Sequence, residues 1–180
     1  MFNGDRVSVN GDRNYVHNGD AIILPQPRPT KLQAMIAQLD EESEEAFRGF
    51  VEELLQYKES AQGTIIGLEG KLVEAKREDD LQRALQGKER FAKKVFKNQL
   101  SPGVQRVYAE ILGILCVSFR YKVLPMIRAG EGQVKVDCFL YDEIICKINE
   151  EVGYSVLKIG IQDIVDMLYY LTGNCHVRWV

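Results

Sequence analysis

The chain offers few combinations of residues that could bind a metal or act as a catalyst. Four cysteines lie at positions 116, 138, 146 and 175, and the two histidines are His17 and His176. No Cys-x-x-Cys pair occurs, and a cysteine neighbours a histidine only at 175–176. Adjacent side chains point in different directions, whereas a zinc site needs four converging ligands. The sequence therefore predicts no metal site and no cofactor.

Hydrolytic and phosphate-transfer chemistry are also poorly supported. A nucleophilic hydrolase needs a serine or cysteine beside a histidine that an acid orients, and here only a docked terminus could supply that histidine. Gly67-Leu68-Glu69-Gly70-Lys71 superficially resembles a phosphate-binding loop. It lacks the four-residue spacer between the glycines and the Ser or Thr after the lysine. We interpret it as the start of a helix, and we predict no catalytic residue and no enzymatic activity.

Asp163 and Asp166 carry the one remaining enzymatic hypothesis. Carboxylates three residues apart share a helix face, as the acids of a nuclease-like metal site do. A solvated polar face explains the same spacing, and we expect these two side chains to face water. An enzyme with an unrecognised, nuclease-like site stays as an alternative.

One electrostatic feature is better formed. Basic residues follow one helix face opposite Phe91, Val95 and Phe96, and we call them the basic stripe: Arg83, Arg90, Lys93, Lys94 and Lys97. Such a stripe could follow phosphates or an acidic protein surface, so its members are candidate partner-binding residues. The alternative is a solvated face, partly neutralised by acidic residues between 41 and 59 and dispensable for folding. A nucleic-acid-binding adaptor that uses the 83–97 helix face stays a second alternative function.

The C-terminal segment is dense in aromatic residues and ends in Val177-Arg178-Trp179-Val180, which contains the only tryptophan. Termini are usually polar and frayed. Tryptophan and arginine are favoured anchors of protein interfaces, which makes Arg178 and Trp179 candidate partner-binding residues. We favour the alternative that Trp179 packs against the helices carrying Ile111–Phe119 and Ile161–Leu171 and leaves Arg178 at the surface.

Three regions of different composition must position these residues. Residues 1–24 contain Asn-Gly-Asp three times, and residues 25–29 read Pro-Gln-Pro-Arg-Pro. Asn-Gly favours tight β-hairpins, and alternate prolines favour a stiff extended spacer. From residue 30 to residue 180 apolar residues recur with helical spacing. We therefore predict a β-like leader over 1–24, a proline-rich spacer over 25–29 and a helical domain over 30–180.

The leader should contain short strands at Arg6–Val9, Asn14–His17 and Ala21–Leu24. A few short strands bury too little apolar surface to be stable alone. One interpretation is an exposed β-edge that pairs with a second copy, which would make a homo-oligomer through residues 1–24. The other is a flexible leader with transient hairpins.

The helical domain should be mainly α, an irregular bundle of about seven helices with the small β element at its N-terminus. Thr30 is the expected N-cap of the first helix. The helix after Pro102 is apolar around most of its circumference near Ile111–Val117, so we expect it at the centre, with Pro125 ending or kinking it. The last two helices are expected over 137–151 and 161–172.

Composition fits one globular domain, since 46% of the 180 residues are hydrophobic and 27% are charged. A net charge of −3 gives no global attraction to nucleic acid or to an anionic membrane. The start of the chain lacks a signal peptide, and its longest apolar stretch is too short to cross a bilayer. We therefore expect a cytoplasmic protein with reduced thiols and no membrane association.

Several segments resemble a known family: 54–57, 67–72, 88–94 and the closing 168–179 are similar to the helical C-terminal domains of bacterial ABC-three-component (Lamassu-like) antiphage defence systems. In that family an ABC-type ATPase with coiled-coil arms acts with a small middle component and an effector. The helical domain couples the effector's enzymatic part to the ATPase. The resemblance spans about residues 31–180 and includes no catalytic residue.

The resemblance implies protein partners, among them an ABC- or SMC-like ATPase and an effector. An effector would carry an enzymatic domain before this region, and only about 30 residues precede it here. We therefore expect a stand-alone coupling or middle component, or an excised domain, that acts as a non-enzymatic protein–protein interaction module.

Overall fold

The computed structural model describes the backbone of residues 14–17 and 20–23, together with residues 28–39, 49–58, 67–155 and 157–180. Within these ranges the chain forms two short strands and nine α-helical segments. Two pairs of segments are joined by π-helical turns into continuous helices. The described part of the chain therefore contains seven helices, and the predicted mainly α bundle is confirmed.

The β element is one hairpin. β1 (Asn14–His17) and β2 (Asp20–Ile23) pair antiparallel, with Asn14 opposite Ile23 and His17 opposite Asp20. Asn18-Gly19 separates the strands, which is the dipeptide that predicts a tight hairpin. The strand predicted over 6–9 lies outside the described residues. Pairing of this edge with a second copy stays a prediction.

The first two helices are short. α1 (Lys31–Gln38) begins with the predicted N-cap, because the Thr30 hydroxyl accepts from the Gln33 amide and the Gln33 side chain accepts from the Thr30 amide. α2 (Glu52–Lys58) places Leu54 in the core. The acidic residues Glu41, Glu45 and Glu59 lie outside the described residues.

α3 (Leu68–Glu74) is followed by a 3₁₀ turn (Glu78–Asp80) and by α4 (Leu81–Lys97). α4 buries Ala84, Gly87, Phe91 and Val95. Phe96 was predicted to share the apolar face but is 67% exposed, because each helical step turns by about 100° and carries it away from Phe91.

The central helix consists of α5 (Pro102–Ser118), a π-helical turn (Phe119–Val123) and α6 (Leu124–Arg128). Its fully buried residues lie on one side of the helix, which packs against α1, α2 and α9: Val107, Tyr108, Ile111, Leu112 and Leu115. Burial around most of the circumference near Ile111–Val117 was expected and is wrong, because Val117 is 58% exposed. Pro125 was expected to end or kink this helix; the helix does not end there but continues to Arg128. The Leu124 amide donates to the Phe119 carbonyl five residues earlier, and this wider turn lets the helix continue past the proline ring.

A second continuous helix consists of α7 (Gln133–Leu140), a π-helical turn (Tyr141–Ile145) and α8 (Cys146–Val152). It begins four residues before the predicted start at 137 and ends at Val152, one residue after the predicted end. Gly153 follows as the C-cap, and its φ of 56° suits glycine. α9 (Ile161–Gly173) packs most extensively on α4. No helix among the described residues is both long and apolar enough to cross a bilayer.

Candidate interaction site

The tail after α9 is folded onto the bundle. Trp179 is 4% exposed, and its ring meets Phe119 edge-on with centroids 4.8 Å apart. Its indole N–H donates to the Thr172 hydroxyl at 3.2 Å. The predicted packing of Trp179 against α9 and the end of the central helix is confirmed, and Arg178 lies at the surface as expected. The Trp179 side chain is therefore engaged in contacts within its own chain.

Arg77 connects this tail to two other elements. Its guanidinium carbon lies 4.3 Å from the centroid of the Trp179 ring, within the range of a cation–π contact. One nitrogen donates to Asp137 of α7 at 2.6 Å, and another reaches Asp80 of the 3₁₀ turn at 3.5 Å. Since the Arg77 side chain is 8% exposed, these carboxylates balance a mostly buried cation.

A buried lysine completes what we call the C-terminal cluster: Lys71, Arg77, Thr172, Cys175 and Trp179. Lys71 is 2% exposed and donates to the Thr172 carbonyl and, at 3.1 Å, to the Cys175 sulfur. The Thr172 hydroxyl donates to the Leu168 carbonyl at 2.9 Å while accepting from Trp179. α3 starts at Leu68, so the helix-start interpretation of the glycine-containing segment is confirmed, and its lysine points into the core.

Two further contacts hold the tail. The Asn174 side chain donates to the Tyr57 carbonyl at 2.9 Å, and His176 meets the Tyr57 ring edge-on at 5.5 Å. On the other side, Lys88 of α4 covers Gly173 so closely that an added Cβ would lie 2.6 Å from the lysine chain. Burial, and then the neighbouring Lys71, lower the pKa of Lys88. The tail is thus bounded by α2, α3, α4 and the central helix.

The basic stripe is divided by contacts with α9. Arg90 forms a bidentate pair with Asp166 at 2.7 and 2.8 Å, and Lys94 pairs with Asp163. Asp166 is 2% exposed, so the expectation that it faces water is wrong. Its helix packs directly against α4, where a guanidinium is available to balance the buried charge. The acids that pair with Arg90 and Lys94 therefore come from α9, whereas most of the 41–59 segment that was predicted to neutralise the stripe lies outside the described residues.

The other members of the stripe face solvent. Lys93 pairs with Glu89 one turn earlier at 2.7 Å, an exposed pair that lowers the pKa of Glu89 through its hydrogen bond. Arg83 and Lys97 are exposed and form no ion pair within the described part of the chain. Arg83, Lys93 and Lys97 thus form no ion pair with α9, whereas Arg90 and Lys94 do, although their side chains are 45% and 41% exposed. Dispensability for folding can be expected only of these three.

A second surface lies on the outer side of the two continuous helices. We call it the hairpin face, and its exposed residues are Val117, Tyr121, Val134, Cys138 and Tyr141. Each π-helical turn contributes one exposed tyrosine, Tyr121 at 69% and Tyr141 at 46%. Helical turns of this kind are frequent at functional sites.

Sequence reasoning missed the buried polar residues. Lys71 follows Leu68 by three residues and precedes Leu72, and this spacing places it on the inward face of α3. Gln105 is fully buried and binds the 49–51 segment, accepting from the Val51 amide at 2.7 Å and donating to the Gly49 carbonyl at 3.0 Å. No pattern in the sequence distinguishes Arg77 or Gln105 from surface residues.

Within the ranges the structure covers, no three His, Cys, Asp or Glu side chains converge in a way that could bind a metal ion. Asp163 and Asp166 are engaged by Lys94 and Arg90, and one Asp163 oxygen also accepts from the Gly160 amide at 3.0 Å. The candidate site therefore consists of two sets of internal polar contacts, the C-terminal cluster and the ion pairs between α4 and α9, and of two exposed surfaces, the basic stripe and the hairpin face.

Comparison with known protein families gives a match over most of the described helices. A protein-family model described as C-terminal domain 9 of the ABC-three component (ABC-3C) systems matches residues 67–179. This range contains α3 through α9 and all five residues of the C-terminal cluster. No curated protein and no solved structure matches the chain.

Proposed function

The chain belongs to the C-terminal domain 9 family of the ABC-three component systems, and from this membership we propose that it is a non-enzymatic coupling module of an ABC-ATPase-linked antiphage defence complex. A component of such a system has protein partners. We propose that these partners are the ATPase and an effector, and that the helical domain transmits contact between them in the cytoplasm.

The C-terminal cluster carries this proposal. A coupling domain must move as one rigid body, because otherwise a displacement caused by a partner on one side deforms the domain locally and does not reach the other side. Buried polar groups that satisfy one another rigidify a core. Lys71, Arg77 and Trp179 join α3, the 3₁₀ turn, α7 and the tail in this way. Groups that could do chemistry in other proteins are here engaged in internal bonds, which supports binding rather than catalysis.

The accessible part of the basic stripe is the proposed contact surface. Arg83, Lys93 and Lys97 lie along the outside of α4 while Arg90 and Lys94 tie the same helix to α9. A partner bound to those three cations would therefore act on a helix that is firmly held. An acidic surface of the partner is the chemistry that fits them.

The test is co-purification of the chain with the ATPase and the effector of the same system. Arg83, Lys93 and Lys97 are changed together to Gln. Lys31, Lys135 and Lys147, exposed lysines on other helices, are changed to Gln as the matched control. We expect the first variant to bind the partner more weakly at low salt, with a shallower salt dependence than the unmodified chain, and the control to bind like the unmodified chain. Co-purification that neither variant weakens would place the contact elsewhere, and no co-purification at all would contradict the coupling function.

One observation favours nucleic acid as a second candidate. Phe96 is 67% exposed on α4, in the turn that also carries Lys93 and Lys97, and an aromatic ring beside cations is how proteins hold single strands. Fluorescence anisotropy with a labelled single-stranded oligonucleotide tests it. Phe96→Ala should weaken binding if this function is correct, and unchanged or absent binding would reject it.

A further inference from the structure

The hairpin face is an apolar surface on the outside of a helical hairpin. Val117 and Tyr121 are one turn apart on the central helix, and Val134, Cys138 and Tyr141 repeat at helical spacing on the helix that follows. Val134 is 78% exposed and Val117 58%. Scattered exposed apolar residues need no explanation, but apolar stripes at helical spacing on two helices that contact each other indicate a surface that another molecule covers.

The two helices carry opposite charge. Residues 111–130 contain Arg120, Lys122 and Arg128 and no acidic residue. Residues 133–152 contain five acidic and two basic residues. The net charge is therefore +3 for residues 111–130 and −3 for residues 133–152. Lys122 lies close enough to Glu143 to contribute, after Lys147, to lowering the pKa of that carboxyl. Asp137 is held by Arg77 and Glu143 by Lys147 within the same chain, whereas Arg120, just before Tyr121, and Asp142, just after Tyr141, are both exposed. The hairpin face therefore has a cation next to one of its tyrosines and a carboxylate next to the other.

We propose that the occupant of the hairpin face is a second copy of this chain, docked about a two-fold axis. A two-fold interface must be self-complementary, because each patch meets the same patch of the partner. With the helices antiparallel, the positive helix of one copy lies on the negative helix of the other, and both apolar stripes are covered. The product is a four-helix layer made from two hairpins.

This surface is separate from the other candidate contacts. It uses neither the leader, for which pairing through residues 1–24 is a distinct prediction, nor the three accessible cations of α4. A dimer through the hairpin face leaves α4 available to a partner. The dimer would therefore present two copies of the three accessible cations of α4.

The experiment is sedimentation velocity of the full chain across a concentration series. Tyr121→Glu places a charge in the middle of the face, and we expect it to raise the dimer dissociation constant at least about tenfold. Tyr154→Glu changes a tyrosine that is fully exposed in the loop after α8, away from the face, and it should leave the dissociation constant unchanged. Val134→Glu tests the same face from α7, in case the first variant does not fold.

A charge exchange tests the proposed orientation. Arg120→Glu and Asp142→Arg should each weaken the dimer, and the double variant should recover most of the loss, because the two residues then attract again across the axis. A chain that sediments as a monomer at every concentration overturns the proposal. So does self-association that Tyr121→Glu and Val134→Glu leave unchanged, and so does a double variant as weak as its two parents.

Discussion

Gly87 of α4 lies directly against Asp166 of α9: a Cβ added at Gly87 would be 2.7 Å from a carboxylate oxygen of Asp166 and 3.2 Å from the Tyr169 ring. Asp166 is buried and paired with Arg90, so it has little room to move. The close approach of the two helices therefore depends on the absence of a side chain at this position.

Gly87→Ala should consequently destabilise the protein. Alanine is normally better than glycine in a helix interior by about 1 kcal/mol. Here the overlap with Asp166 outweighs that gain, and we expect a net loss of roughly 1–3 kcal/mol, as for other overpacked sites. Urea denaturation measures it. Gly113→Ala is the control, since its Cβ would meet only the Tyr57 hydroxyl at 3.1 Å. An equal loss at both glycines would contradict this reasoning.

The members of the basic stripe should differ in their effect on folding. Among the described residues, Arg90→Gln leaves the buried Asp166 with the Gln162 side chain as its remaining hydrogen-bond donor, and an unbalanced buried carboxylate is costly. Lys93→Gln removes an exposed pair, which contributes little. We therefore expect a clearly lower Tm for Arg90→Gln and an almost unchanged Tm for Lys93→Gln in calorimetry. Similar values for both would show that Asp166 is balanced in another way.

Trp179→Ala should remove both an apolar contact and a hydrogen bond from the C-terminal cluster. Truncation of a large buried aromatic costs about 3–5 kcal/mol, and we expect the lower end of that range because Trp179 is near the end of the chain. In the unmodified protein the tryptophan fluorescence should be blue-shifted and poorly quenched by iodide. Val180→Ala, at a 40% exposed site, is the control and should change stability by less than about 0.5 kcal/mol. A red-shifted, readily quenched tryptophan is the contrary result.

Tyr108 should make stability fall at alkaline pH. Burial raises its pKa from 10.0 to about 12, so the folded protein keeps the phenol proton over a range in which the unfolded chain loses it. This contribution is fully present below pH 10 and is lost as the pH rises from 10 towards 12. Tyr108→Phe should reduce the loss in that window, measured by urea denaturation at several pH values. Tyr121→Phe, at an exposed site, should not. If both variants follow the unmodified protein, Tyr108 does not titrate as described.

Periodicity predicted where helices run and which side of most of them is buried. The inward residues Ile144 and Ile148 follow from apolar spacing, because burial of such residues dominates packing, and the burial of Trp179 follows from the aromatic composition of the tail. Spacing does not reveal which polar residue meets which. Asp166 looks like a surface acid until α4 is placed beside it, and Arg77 acquires its partners from segments 60 and 102 positions away.

Local rules also failed where a wider turn was available. Pro125 breaks an ideal α-helix, but the π-helical turn before it removes the clash by shifting the hydrogen bonds by one residue. Whether such a turn forms depends on the packing of Phe119 and Val123 against the rest of the bundle, both of which are buried. A single stretch of sequence does not contain that information.

The C-terminal cluster also bears on how long the folded state lasts. The bond from Lys71 to the Thr172 carbonyl joins residues 101 positions apart, and the bond from Asn174 to the Tyr57 carbonyl joins residues 117 positions apart. Contacts that close such long loops form late, since the chain entropy they cost must first be offset by nearer contacts. Interactions absent from the folding transition state act mainly on the unfolding rate. In stopped-flow experiments, substitutions that weaken the C-terminal cluster should therefore raise the unfolding rate and leave the refolding rate nearly unchanged.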